Sequence, residues 1–301
     1  MAKKHIIYVP GKNPKPPESE HKTFLWESLL EGVKRNSFEV YQDLSKHADN
    51  FHLAGWNSLY YLTNRDSDEQ PWLDVLFNQN QATSEDIKEA HAWHRLTDML
   101  LYSLVDHFPF ILKFLPGVLR ETAEETQRYF RNQKKVAYEV REVLKKQLRP
   151  IFANNEKVLL IGHSLGSVIA YDTLWELSQV EKLQGKVDLF LTLGSPLGMN
   201  YVQRRLMGNR FKKKKKYPKN IKQWLNVAAI GDITALDRSF ADDFREMLDL
   251  GVIESIEDCK KDVYTFFRNE EGLNCHRSYG YLVNNHVGKI IADWWKSSAE
   301  R

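Results

Sequence analysis

Lys157-Val158-Leu159-Leu160-Ile161-Gly162-His163-Ser164-Leu165-Gly166 is the stretch that decides how this chain is read. Lys157 to Ile161 is a short β-rich run. Ser167-Val168-Ile169-Ala170-Tyr171 then follows at once and reads as a helix beginning at Leu165 and running to about Ser178. A strand, a five-residue turn and a helix form the setting in which Gly-x-Ser-x-Gly spacing has chemical meaning. The turn is so tight that its serine must take a strained backbone conformation. Side chains two residues before and two after would strike the neighbouring chain, and glycine at 162 and 166 removes that collision. The Ser164 hydroxyl is thereby pushed out at the carboxyl end of the sheet. The helix behind it offers N–H groups that stabilise negative charge.

Outward from this turn, strands and helices alternate. Ile6 to Val9 reads as a buried strand ended by Pro10-Gly11, and Lys12 to Glu20, with Pro14, Pro16 and Pro17, as a loop. Apolar residues between Phe24 and Val33 recur at helical spacing, so a helix is expected over Thr23 to Arg35. Phe38 to Tyr41 and Trp56 to Leu62 read as further strands. On the other side, strands are expected at Val187 to Leu193, Trp224 to Ile230 and Asp262 to Arg268, and a closing helix at Asn284 to Lys296. Between 71 and 150 strand signals vanish. Ser84-Glu-Asp-Ile starts a helix expected to continue to about His107, and Thr122 to Leu148 is long, charged and helical. The expectation is one α/β domain over 1–301 with a doubly wound, mainly parallel sheet, interrupted by a helical insertion or cap at 71–150.

A serine hydroxyl needs a base to activate it, and the base needs an acid to orient it. Asp232 follows directly on the run Leu225 to Gly231 and is the best-placed acid, with Asp237 in reserve. Asp242 and Asp243 read as an exposed helix start. Only two histidines follow Asp232. His276 sits in a polar loop, Asn274 to Tyr279, where a base at the sheet's carboxyl edge belongs. His286 lies at the start of the closing helix, where a structural role is the simpler reading.

These residues together resemble the α/β-hydrolase superfamily in its lipase and esterase-like branch. The matching features are Val9-Pro10-Gly11 after the opening strand, Gly162-His163-Ser164-Leu165-Gly166, Leu193-Gly194-Ser195-Pro196, the Asp232 strand end, and His276 with Ser278 and Tyr279 before the closing helix. The resemblance implies a serine hydrolase that cleaves a carboxylic ester through an acyl-enzyme on Ser164, with no metal and no cofactor. It also implies an oxyanion hole from the backbone N–H groups of Leu165 and Lys12. Many relatives carry His-Gly after the opening strand where this chain has Pro10-Gly11-Lys12. A backbone donor does not depend on that side chain.

Composition bounds the rest. Of 301 residues, 42% are hydrophobic and 28% charged, enough for one large core and a well-solvated surface. A net charge of +3 gives no reason to expect a nucleic-acid partner. Cys259 and Cys275 are too few for a disulfide framework, so a reducing compartment is expected. The start, Met1-Ala2-Lys3-Lys4-His5, lacks the apolar region of a signal peptide, and no window is apolar enough for a membrane span. A cytoplasmic protein acting on a small-molecule or lipid ester is the expectation. Two features raise possible peripheral contact with anionic membrane: the five lysines Lys212 to Lys216, and the apolar patch Phe108 to Leu115 as a lid. They motivate a second reading, a membrane-associated phospholipase or acyltransferase. The third is a non-catalytic binding module. His91, His94 and Asp98 share a helical face that has the spacing of metal ligands, but further ligands are not evident, and lone helix histidines are usually structural.

Overall fold

The computed structural model describes residues 2–61, 69–92, 126–132, 135–235 and 239–297. Six strands form one sheet: β1 (Lys4–Val9), β2 (Phe51–Leu53), β3 (Lys157–His163), β4 (Val187–Leu193), β5 (Ile221–Val227) and β6 (Ser255–Asp258). Their order is β2-β1-β3-β4-β5-β6, and every neighbouring pair is parallel. The register sets Val9 beside Gly162 and Gly162 beside Thr192.

Period-two alternation with a core on each face explains why β1 and β3 are apolar on both sides. Ile7, Val9, Val158 and Leu160 enter one core, and Ile6, Tyr8, Leu159 and Ile161 enter another on the opposite face. The first face is covered by α6 (Val136–Ala153) and α7 (Leu165–Trp175), the second by α1 (Glu18–Lys34), α8 (Ser278–Leu282) and α9 (Asn285–Ser297). All eleven residues of α7 are buried, as expected of a helix apolar all round. In α9, Val287, Ile291 and Trp295 recur every four residues on the buried side. Truncating a fully buried side chain here, such as Leu160, costs about 2–5 kcal/mol.

Several expected elements differ. Phe38 to Tyr41 is not a strand but the start of helix α2 (Phe38–Leu44). Ser37 caps it by accepting from the Val40 N–H at 3.3 Å, and Phe38 is exposed while Val40 and Leu44 are buried. That is helical spacing hidden in a β-rich composition. The strand expected within Trp56 to Leu62 lies earlier, at Phe51–Leu53, and Asn57–Tyr60 is a helical turn, α3. Helix α1 starts at Glu18, just after Pro17, so the preceding loop is shorter than expected. The strand expected over Asp262 to Arg268 reduces to one bridge between Ala229 and Val263, with Arg268 starting a two-residue hairpin strand that pairs with Gly272–Leu273, while the sixth strand of the sheet is Ser255–Asp258. In the 71–150 region, helices are described at α4 (Gln70–Asn78), α5 (Ser84–Ala90) and 126–131, and α6 extends past it to Ala153. Phe108 to Leu115, His94, Asp98 and Asp237 lie outside the described residues. Among the described residues no helix is long and apolar enough to cross a membrane, and Cys259 and Cys275 are both free thiols.

Candidate active site

The chain leaves β1 towards β2, then returns past β1 to form β3 on its other side. The loops that follow β1 and β3 therefore leave the sheet at its topological switch point, where ligands of open α/β sheets bind. Ser164 stands at the end of β3, and the Pro10-Gly11-Lys12 loop at the end of β1 faces it. A Cβ added to Gly11 would lie 2.9 Å from the Ser164 Cβ.

Ser164 has φ +53° and ψ −130°, a conformation that L side chains rarely adopt. The reason is close packing around the turn. A Cβ on Gly166 would sit 2.2 Å from the Val9 carbonyl oxygen, and one on Gly162 would sit 2.7 Å from the Ser167 Cα. Helix α7 is thus wedged against β1 from its first turn. The Ser164 N–H donates to the Leu193 oxygen at 3.0 Å, and the Ser167 hydroxyl donates to the Ser164 oxygen at 2.6 Å. Ser195, from the Gly194-Ser195-Pro196 turn, stands 2.7 Å behind Ser167. Leu165 is the first residue of α7, where an N–H has no intrahelical partner.

The loop that carries Lys12 is held by the aromatic-rich segment that follows β2. Trp56 Nε1 donates to the Pro10 oxygen at 2.8 Å, Asn57 Nδ2 to the Gly11 oxygen at 2.9 Å, and the Asn13 N–H to Tyr61 Oη at 2.9 Å. Trp56 and Asn57 are themselves buried. The loop's backbone is fixed from behind by groups distant in sequence.

Asp232, in the segment after β5, and His276, ahead of the closing helices, meet. His276 Nδ1 donates to Asp232 Oδ2 at 2.8 Å. Three further donors serve the same carboxylate: Tyr281 Oη at 2.6 Å, and the Thr234 hydroxyl and N–H at 2.8 and 2.9 Å. Asp232 is 1% exposed. Burial alone pushes its carboxyl up, but the charge and hydrogen bond of His276, with the bonds from Tyr281 and Thr234, outweigh this and hold it at about 2. With Nδ1–H committed to Asp232, the tautomer leaves Nε2 as the acceptor. Burial and the Asp232 charge raise the Tyr281 phenol well above its usual range, so it stays a donor; its oxygen also accepts from the Ala229 N–H at 2.8 Å.

The backbone of His276 is pinned too. His163 Nε2 donates to the His276 oxygen at 2.8 Å, and the two rings lie 4.7 Å apart between centroids. Burial, then the neighbouring charges of His276 and Lys15, hold His163 well below the usual histidine range, so it is neutral. Gly194 leaves the room that this packing needs, since a Cβ there would lie 2.6 Å from Asp232 Oδ2 and 3.1 Å from His276 Nδ1.

The expected Asp232 and His276 are thus joined directly, and His163, next to Ser164 in sequence, stacks on His276. Among the described residues no hydrogen bond joins the Ser164 hydroxyl to His276. His286 lies on the first turn of α9 and takes no part in the cluster. Thr234, Tyr281 and the role of His163 were not read from the sequence. Thr234 lies two residues after Asp232 and its hydroxyl bonds back to that side chain, a turn signal that was there to be read. Tyr281 reaches the carboxylate only through the tertiary fold.

Comparison of the chain with protein families, with curated proteins and with solved structures finds no match. The architecture is α/β with a parallel six-stranded sheet, and the assignment of a reaction rests on the site.

Proposed function

We propose that this protein is a serine hydrolase of the α/β-hydrolase kind that cleaves a carboxylic ester. Ser164 attacks the ester carbonyl while His276 Nε2 takes the hydroxyl proton. The tetrahedral oxyanion is met by the N–H groups of Leu165 and Lys12. His276 then passes its proton to the leaving alcohol as the C–O bond breaks, giving an acyl-enzyme on Ser164. Water, deprotonated by His276, attacks the acyl carbonyl; the bond to Ser164 Oγ then breaks as Oγ takes the proton back from His276, and the acid is released. Asp232 remains ionised throughout and stabilises the imidazolium.

The observation that carries this reading is a serine in a strained turn at the switch point of the sheet, whose neighbour His163 packs on a histidine whose Nδ1 is bonded to a buried, ionised aspartate. A structural aspartate–histidine pair has no need of a strained serine beside it. A disused site is the competing reading, and the missing hydrogen bond between Ser164 and His276 favours it. In enzymes without substrate that bond is often long and tightens in the reacting complex.

Hydrolysis of p-nitrophenyl esters of short and long acids separates the two readings. The wild-type protein is expected to turn over esters, and Ser164→Ala to lose about five orders of magnitude in kcat/KM with its fold intact. A wild-type protein no faster than Ser164→Ala on every ester overturns the enzymatic reading.

A further inference from the structure

A groove of about 740 Å³ lies at the far end of α7 from Ser164. Trp175 closes α7 and lines this groove, eleven residues beyond Ser164, so the groove sits about 16 Å along the helix from the serine. Four lysines line it, Lys182, Lys186, Lys215 and Lys219, and no acidic residue does. None of the four forms an ion pair among the described residues. The acids of the same segment are engaged with other cations. Glu176 is paired with Arg141 and Lys145, and Glu181 with Arg149 and Lys145. The positive charge of the groove is therefore not neutralised by an ion pair among the described residues.

The lysine run is also not a loose loop. Trp175 Nε1 donates to the Lys215 oxygen at 3.0 Å, and Gln179 Nε2 donates to the oxygens of Lys214 and Tyr217, each at 2.7 Å. The Lys219 N–H donates to the Ser178 hydroxyl at 3.1 Å. Ser178 and Gln179 belong to a π-helical turn, Glu176–Val180, that continues α7; such turns are frequent at functional sites. The same surface exposes apolar groups. Phe211 stacks on Trp175 at 5.7 Å and is 49% exposed, and Val180 is 62% exposed.

We propose that this groove is a docking surface for a membrane leaflet rich in anionic phospholipid. The lysines take the lipid phosphates and carboxylates, and Phe211 and Val180 enter the headgroup layer. Charge alone would suit any polyanion. The exposed aromatic and aliphatic side chains among the lysines favour a lipid surface, where apolar groups gain from burial and cations from the surface potential. The distance from Ser164 makes the groove a tether that fixes where the protein sits. It is not the route by which a substrate reaches the serine, and the inference does not depend on Ser164 being reactive.

Vesicle flotation of the full chain tests it, using phosphatidylcholine vesicles with and without phosphatidylserine, at low and high salt. Binding is expected only with phosphatidylserine and is expected to fall steeply with salt. Neutralising Lys182, Lys186, Lys215 and Lys219 together with glutamine should weaken it by roughly a hundredfold or more, at about fivefold per lysine. Phe211→Ser should weaken it about fivefold while leaving the salt dependence in place. All five side chains are exposed, so both variants should unfold thermally like the wild type and hydrolyse soluble esters at its rate. The proposal is overturned if the wild type does not float with anionic vesicles, or if the quadruple variant floats as well as the wild type. It is equally overturned if inositol hexakisphosphate, titrated in parallel, binds through these lysines while vesicles do not, for the groove would then serve a soluble anion.

Discussion

The turn that carries Ser164 is encoded by five consecutive residues and packs against β1, whereas His276 is positioned by residues from three segments that lie more than forty positions apart. At the serine turn, the constraint is hard contact. Gly162 and Gly166 let backbone approach backbone, and the strained φ of Ser164 follows from that approach. Around His276, the constraint is a set of directed hydrogen bonds. Asp232 receives four donors, from His276, Tyr281 and Thr234, and His163 holds the histidine's own carbonyl. Steric constraint is local and all-or-none. A hydrogen-bonded arm can lose one member and keep the rest, so the two halves should fail in different ways.

The largest expected effect in the arm is that of Asp232→Asn. The amide presents either the wrong hydrogen-bonding group to Nδ1 or none, and the imidazole loses its tautomer and its stabilised cation. Ester hydrolysis should fall by about four orders of magnitude with the fold retained, as read by kcat/KM beside circular dichroism. A fall of less than tenfold would mean that the arm positions His276 without this carboxylate.

At the turn, Gly166→Ala should act on the fold before it acts on chemistry. The added methyl meets the Val9 and Pro10 carbonyl oxygens at 2.2 and 2.5 Å, and backbone cannot yield as a flexible side chain would. A loss of at least about 3 kcal/mol in urea unfolding is expected. A stable Gly166→Ala protein would show that the close approach of α7 to β1 is not what shapes the turn.

Acid separates the halves by pH. The folded Asp232 carboxyl, at about 2, lies below its unfolded value of 3.8. Its stabilisation is complete above 3.8 and is lost as pH falls towards 2, an effect on the order of 2 kcal/mol. Folded His163, beside Ser164, also lies below its unfolded value of 6.5 because it is buried. Its contribution is complete above 6.5 and is lost as pH falls below that. Urea midpoints should therefore decline first below 6.5 and again below about 4. His163→Gln should shrink the first decline, to which buried His21 and half-buried His52 also contribute, and leave the second; Asp232→Asn should shrink the second, to which Asp86, Glu142 and Glu181 also contribute, and leave the first. A variant that flattens the other step would break the assignment.

Thr234→Val is the smallest change expected. It removes the hydroxyl that donates to Asp232 and lies 2.7 Å from His276 Nδ1, but leaves the Thr234 N–H, Tyr281 and the direct Asp232–His276 bond in place. About a tenfold fall in kcat is expected, with about 1 kcal/mol of stability, and KM little changed. A loss as large as that of Asp232→Asn would show that the arm is as brittle as the turn.

The same contrast explains what was legible in the sequence. The serine turn could be read because its cause lies within ten residues: an apolar strand, two glycines at fixed spacing, and a helix. Strands β3 and β4 were read for similar reasons, being continuous apolar runs closed by glycine. Asp232 and His276 were reached through chain order and strand ends, and the structure brings them into contact. Thr234 and Tyr281 were not reached, since hydrogen bonds to a buried carboxylate leave little periodic trace. Secondary structure failed where composition and spacing disagreed. Phe38-Glu39-Val40-Tyr41 has strand-forming residues, yet the Ser37 cap and the spacing of Val40 and Leu44 make it helical. Strand β6, Ser255-Ile256-Glu257-Asp258, is short and polar at the edge of the sheet, so nothing in its composition announced it.

The most direct test of the central claim is covalent labelling of the folded protein with a fluorophosphonate, followed by mass spectrometry of the digested chain. Attack by an activated serine expels fluoride and leaves a phosphonate ester on its oxygen. A single adduct on Ser164 is expected, absent in Ser164→Ala and formed far more slowly in His276→Ala. A folded wild-type protein that takes no label at Ser164, or takes it equally well without His276, would contradict the account.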